Sequence, residues 1–186
     1  MRLFQSKMAG KAVIAYIVLF IAIFASYFTA WQIFDYLIPF LLVILPAIAG
    51  GRISFSFSGR HFIAGAAFSL MIILPYFLFG IYHGRNFIFP DISMLAFQLL
   101  VVSIPEEIFF RGFIQEAVGN NLKGNLITSL LFSIAHLPNF LFNNDIYSLL
   151  TFFPSLIIGY IYMRTANIMP CIMFHFFANV VWVGFG

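Results

Sequence analysis

With 186 residues, 63% of them hydrophobic and only 8% charged, the chain lies far from a soluble globular domain, which is about 45–50% apolar and 25% charged. A mean hydropathy of +1.04 and 20% aromatic residues, mostly Phe, exclude disorder, and one cysteine excludes an internal disulfide framework or a Cys-rich metal site. No basic stripe accompanies the net charge of +3, so it reads as Lys and Arg flanking membrane spans, with no nucleic-acid partner.

In chain order, Arg2, Lys7 and Lys11 precede an apolar run from Ala12 to Trp31. That run exceeds the roughly 7–15 apolar residues of a signal peptide, so a retained first span is expected. Ile33–Ala49 is the second span. Gly50 to Arg60 is a polar, Ser-rich connection, and His61–Tyr82 is the third span, kinked at Pro75. After a short loop, Ile92–Val118 is the fourth, Asn125–Phe142 the fifth, Ile146–Met163 the sixth and Ile168–Phe185 the seventh. About 20 apolar residues cross a bilayer. The fold class expected is therefore an all-α integral membrane protein of about seven transmembrane helices, a single transmembrane domain over residues 1–186. Basic residues set the orientation. With the amino terminus inside, Arg2, Lys7, Lys11, Arg52, Arg60, Lys123 and Arg164 are cytoplasmic and only Arg85 lies outside. The expectation is N-in and C-out, in a prokaryotic-type cytoplasmic membrane.

The fourth span carries Glu106, Glu107 and Arg111 between apolar runs. Each such group costs about 2.5–3.5 kcal/mol at mid-bilayer on insertion scales, so the default reading is a functional site. The fifth span holds His136, and the seventh holds His175 and Asn179. At about 1.5 Å rise per residue, Glu106, His136 and His175 lie roughly 15–20 Å from the inner ends of their spans, at a common level. Glu107 and Arg111 are one turn apart and pair, as neighbours on one helix face do, and His175 and Asn179 share a face likewise. Glu106, about 100° round the helix, keeps no local cation. Pro105 either kinks the span or opens a new helical segment.

These residue types make a hydrolytic set. A carboxylate and an imidazole position a water and accept its proton. A second His with Asn donates to the oxyanion formed when an amide is attacked, and the Arg–Glu pair supports the geometry. Glu-Glu-x-x-x-Arg, Phe-x-x-x-His and His-x-x-x-Asn, met in that order through residues 103–182, resemble the CPBP family (CAAX protease and bacteriocin-processing, or Abi). That family includes the type II CAAX prenyl endopeptidase, the Ras-converting enzyme. The resemblance implies an intramembrane glutamic endopeptidase acting on a membrane-tethered protein or peptide. In it Glu106 and His136 activate water, His175 and Asn179 hold the oxyanion, and Glu107 and Arg111 support them, with no cofactor.

Bland roles compete at each position. Glu106, Glu107 and Arg111 could form a structural ion-pair network, His136 could be a packing residue, and His175 with Asn179 could join helices. Three other chemistries use the same residues. Zinc hydrolysis would take Glu106, His136 and His175 as ligands, though no His-Glu-x-x-His occurs. A thiol mechanism would pair Cys171 with His175 one turn on, and Ser133 stands near His136. A small proton-coupled transporter would also bury carboxylates and histidines, but no internal repeat of the transporter kind is evident.

Overall fold

The computed structural model describes residues 2–29, 31–51 and 59–186, so the connection expected around Arg52 lies largely outside the described residues. Seven helical segments follow one another: α1 (Arg2–Thr29), α2 (Ile33–Ala49), α3 (Gly59–Tyr82), α4 (Ile92–Val118), α5 (Leu122–Asn143), α6 (Ile146–Thr165) and α7 (Ile168–Phe185). There is no strand among the described residues. Six are long and apolar enough to cross a membrane, and α2 is a shorter apolar helix of 17 residues. The all-α membrane bundle expected from hydropathy is the fold, and the span boundaries move by a few residues at most from α2 onward.

The sequence marks where these helices begin. Asp91, Asn121, Asp145 and Asn167 each accept a backbone N–H of the turn that follows, at 2.8–3.1 Å, so every segment from α4 to α7 opens on a side-chain cap. Such caps satisfy amides that the helix cannot pair internally. The exposed Asp91 carboxyl is held below its usual range by the Met94 amide and then by the Ser93 hydroxyl. At the other end of α2, Gly50 takes φ 78°, a left-handed closure that glycine adopts without strain. The adjoining Ala49 carbonyl accepts from Lys11 Nζ at 2.9 Å.

α4 is the central element, packed against α1, α2, α5, α6 and α7. Phe109, Phe110, Phe113 and Ile114 enter an apolar cluster with Ala12, Ala15 and Leu19 of α1, Leu42 of α2 and Phe132 of α5. Leu99, Ile104 and Ile108 face a second cluster built on Tyr162 of α6 and Ile172 and Phe174 of α7. Because lipid tails are as apolar as Leu, burial alone does not hold such helices together; close approach and polar contacts do. A Cβ on Gly65 would lie 2.7 Å from the Pro170 Cα, so glycine there lets α3 meet α7. Gln115 Nε2 donates to the Gly159 carbonyl at 3.0 Å and Asn125 Nδ2 to the Leu156 carbonyl at 3.0 Å, joining α4 and α5 to α6.

Two helices are irregular where the polar residues sit. In α4, Gln98–Ser103 and Ile108–Gln115 wind as wider π-helical turns on either side of Ile104–Glu107. The Ile104 N–H reaches five residues back to the Leu99 carbonyl. Pro105 thus sits inside one continuous helix, and the wide turns absorb the hydrogen bond it cannot make. No new helix begins at the glutamates, so the helix-start alternative for Pro105 falls away. α5 is interrupted at His136 (φ −90°, ψ −3°) and resumes at Leu137, with Pro138 in the first turn of the second half.

Candidate active site

Glu107 and Arg111 form the floor of the cluster. Both are fully buried, and Arg111 Nη1 donates to Glu107 Oε1 at 3.2 Å, one turn away on α4. Arg111 Nη2 donates to the carbonyl and the hydroxyl of Ser155 on α6, at 2.9 and 2.7 Å. Its guanidinium lies 5.2 Å from the centre of the Phe132 ring on α5. A buried charge that lost these partners would carry its full desolvation cost, so one arginine ties three helices together.

His175 of α7 spans the two glutamates. Its Nδ1 lies 2.7 Å from Glu107 Oε1 and its Nε2 3.6 Å from Glu106 Oε2. Glu107 already accepts from Arg111 and can only accept as a carboxylate, so His175 Nδ1 carries the proton and donates. His136 is oriented by the same logic. Its Nδ1 stands 2.8 Å from the Phe132 carbonyl, an acceptor, so Nδ1–H donates and, in the neutral ring, Nε2 carries the lone pair. Phe132 packs against both imidazoles, with ring centres 4.8 Å from His136 and 6.0 Å from His175. Glu106, His136 and Asn179 are half-buried, in contrast to Glu107 and Arg111.

The sequence-derived residues thus fall into two groups. Glu106, Glu107, Arg111 and His175 meet through direct polar contacts, and His136 joins them through Phe132. Asn179 makes its contact on α4 instead: its Nδ2 donates one hydrogen to Gln98 Oε1 at 3.0 Å. Two partners escaped the sequence reading, Ser155 and Gln98. A serine and a glutamine in apolar spans carry no charge signal, and only the fold shows what they face. Asn139, one turn beyond His136, donates to Asp145 Oδ2 at 2.8 Å.

The rival pairs are differently engaged. Cys171 directs its thiol to the Ile158 and Asn167 carbonyls at 3.6 and 3.7 Å, and Ser133 donates to the Leu149 carbonyl at 2.8 Å. Among the described residues, no three His, Cys, Asp or Glu side chains are gathered in the geometry of a metal site in this arrangement. A cavity of about 190 Å³ between the facing ends of α1 and α2 is lined by Ser26, Tyr27, Trp31, Gln32 and Asp35, and by none of these residues.

A family model described as type II CAAX prenyl endopeptidase Rce1-like matches residues 87–181, which is just over half of the chain and takes in every motif residue above. No curated protein and no solved structure matches the chain significantly. A match of that extent, over α4 to α7, identifies the chain as a member of the Rce1-like family of type II CAAX prenyl endopeptidases, and hence as an intramembrane CAAX-type protease.

Proposed function

We propose that the protein is a glutamic endopeptidase that cuts a peptide bond of a membrane-tethered protein or peptide within the bilayer, without a cofactor. The observation that carries this is the His175 imidazole held 2.7 Å from Glu107 and 3.6 Å from Glu106, near a second imidazole whose Nδ1 is engaged by the Phe132 carbonyl. Glu106 and His136 Nε2 position a water and take its proton as the oxygen attacks the amide carbon. The carbonyl oxygen becomes an oxyanion, which accepts hydrogen bonds from His175 Nε2–H and an Asn179 N–H. Lying between two carboxylates, the His175 ring is placed to donate from both nitrogens. Collapse of the intermediate breaks the C–N bond, and the departing amine takes the proton that water gave up. Glu107 and Arg111 touch no reacting atom and hold His175 at its angle.

The test is cleavage of a lipid-anchored peptide by the purified protein in proteoliposomes, read by mass spectrometry. Activity is expected to vanish in Glu106→Ala and in His136→Ala, and to persist in chelator and in Cys171→Ala. Cleavage by both of the first two variants would falsify the assigned roles. Loss in chelator, restored by zinc, would move the reaction to the metal reading. Glu106-dependent proton uptake without proteolysis would make the cluster a transport relay.

We also place the amino terminus on the inner side of a prokaryotic-type cytoplasmic membrane, on the strength of Lys7, Lys11, Lys123 and Arg164 against Arg85. Cysteines introduced at Lys123 and at Arg85 should be labelled from opposite sides of intact cells; labelling from one side would reject the arrangement.

A further inference from the structure

We propose that Gln98 is a positioning residue for the reaction: it fixes which end of the Asn179 side-chain amide faces the scissile bond. The inference rests on the reading of Asn179 as an oxyanion donor and adds a requirement to it. Asn179 lies one turn beyond His175 on the same face of α7. Its amide has an oxygen and an NH₂ of nearly equal shape, so packing alone does not decide which points where. The neighbour decides, because an oxygen accepts and an NH₂ donates.

Gln98 supplies that neighbour. Its Oε1 accepts from Asn179 Nδ2 at 3.0 Å across the α4–α7 interface. Its own Nε2 points to Met94 Sδ at 3.8 Å, one turn back on α4, which keeps the oxygen turned toward α7. With one Asn179 hydrogen taken, the second N–H of the same nitrogen is left for substrate. The opposite orientation would offer an oxygen lone pair to a developing oxyanion, which repels it. Gln98 begins the π-helical stretch Gln98–Ser103, and irregular turns of this kind re-aim the residues around them. α7 packs on α4 along that stretch.

The test is a double-mutant cycle on cleavage of the anchored peptide, with thermal unfolding in detergent as a control. Gln98→Met keeps length and loses the acceptor. It should lower kcat about tenfold, short of the 10²–10³ for losing a whole oxyanion donor, and leave KM within about twofold. In an Asn179→Ala background the same change should cost no further rate, since no amide remains to orient. Gln98→Glu restores an acceptor; its rate should climb with pH as the new carboxyl ionises and approach that of the unaltered protein. This variant also decides the matter should Gln98→Met fail to fold. Unchanged kcat in Gln98→Met beside an impaired Asn179→Ala overturns the inference and leaves the proposed function standing. Equal losses in both backgrounds overturn it as well. Full activity in Asn179→Ala overturns the oxyanion assignment itself, and this inference with it.

Discussion

The two sides of the polar cluster differ in how far they are withdrawn from the surroundings. On the α6 side, Glu107 and Arg111 are 0% exposed and spend their hydrogen bonds on one another, on Ser155 and on His175. On the other side, Glu106 is 19% exposed at its side chain, its contact with His175 is a looser 3.6 Å, and His136 presents an uncommitted Nε2. Two consecutive glutamates therefore meet different surroundings. One rotation of about 100° along α4 separates a carboxylate gripped by both Arg111 and His175 from one that meets only the longer His175 contact. The difference does not follow from residue type; it follows from which face of α4 each carboxylate lies on and how closely Arg111 and His175 approach it.

That division has measurable consequences. The largest belongs to Glu106→Gln, which should cut the cleavage rate by about 10²–10⁴-fold while unfolding in detergent stays where it was or moves up, because an imperfectly paired charge has left the membrane. A variant that both loses activity and melts early would erase the contrast between the two glutamates. Next comes Arg111→Met, which strands the buried Glu107 carboxylate. Stability should fall by about 3–5 kcal/mol, read from denaturant or thermal unfolding; a melting curve like that of the unaltered protein would mean that the pair contributes little. Ser155→Ala removes one of the two Ser155 oxygens that Arg111 uses and leaves the carbonyl, so a loss of about 1 kcal/mol is expected. Were that loss to match Arg111→Met, the serine hydroxyl would be carrying the whole network. The smallest effect lies outside the membrane. The Asp91 carboxyl is lowered in the folded state by the Met94 amide, so its cap is fully present above the unfolded pKa and is lost as pH falls through the folded one. Hydrogen exchange at the Met94 amide should quicken over that acid range, and Asp91→Asn should remove the pH dependence.

Much of this was legible in residue order. Apolar run lengths located the spans because each must satisfy its backbone internally, and the i, i+4 spacing of Glu107 and Arg111 declared their pairing. The motif residues on α4, α5 and α7 could be set at one depth by counting rise. Three things could not be read. The π-helical turns around Pro105 leave no hydrophobic periodicity of their own, because the residues that form them are as apolar as any in the span. The break at His136 is signalled by Pro138, but its position at the imidazole depends on the hydrogen bond to Phe132. Ser155 and Gln98 became visible only once α6 and α7 were laid against α4, since an uncharged polar side chain in a span reads as ordinary until its partner is known.

The shortness of α2 bears on how water meets a site sunk in lipid. Seventeen residues rise only about 25 Å, less than the roughly 30 Å thickness of a bilayer's hydrocarbon, and α2 packs beside the Ile104–Glu107 stretch. A span that short favours a thinner bilayer along its flank. Thinning there would bring the aqueous boundary nearer the stretch of α4 that carries Glu106, so the length of a neighbouring helix would bear on how water reaches the cluster.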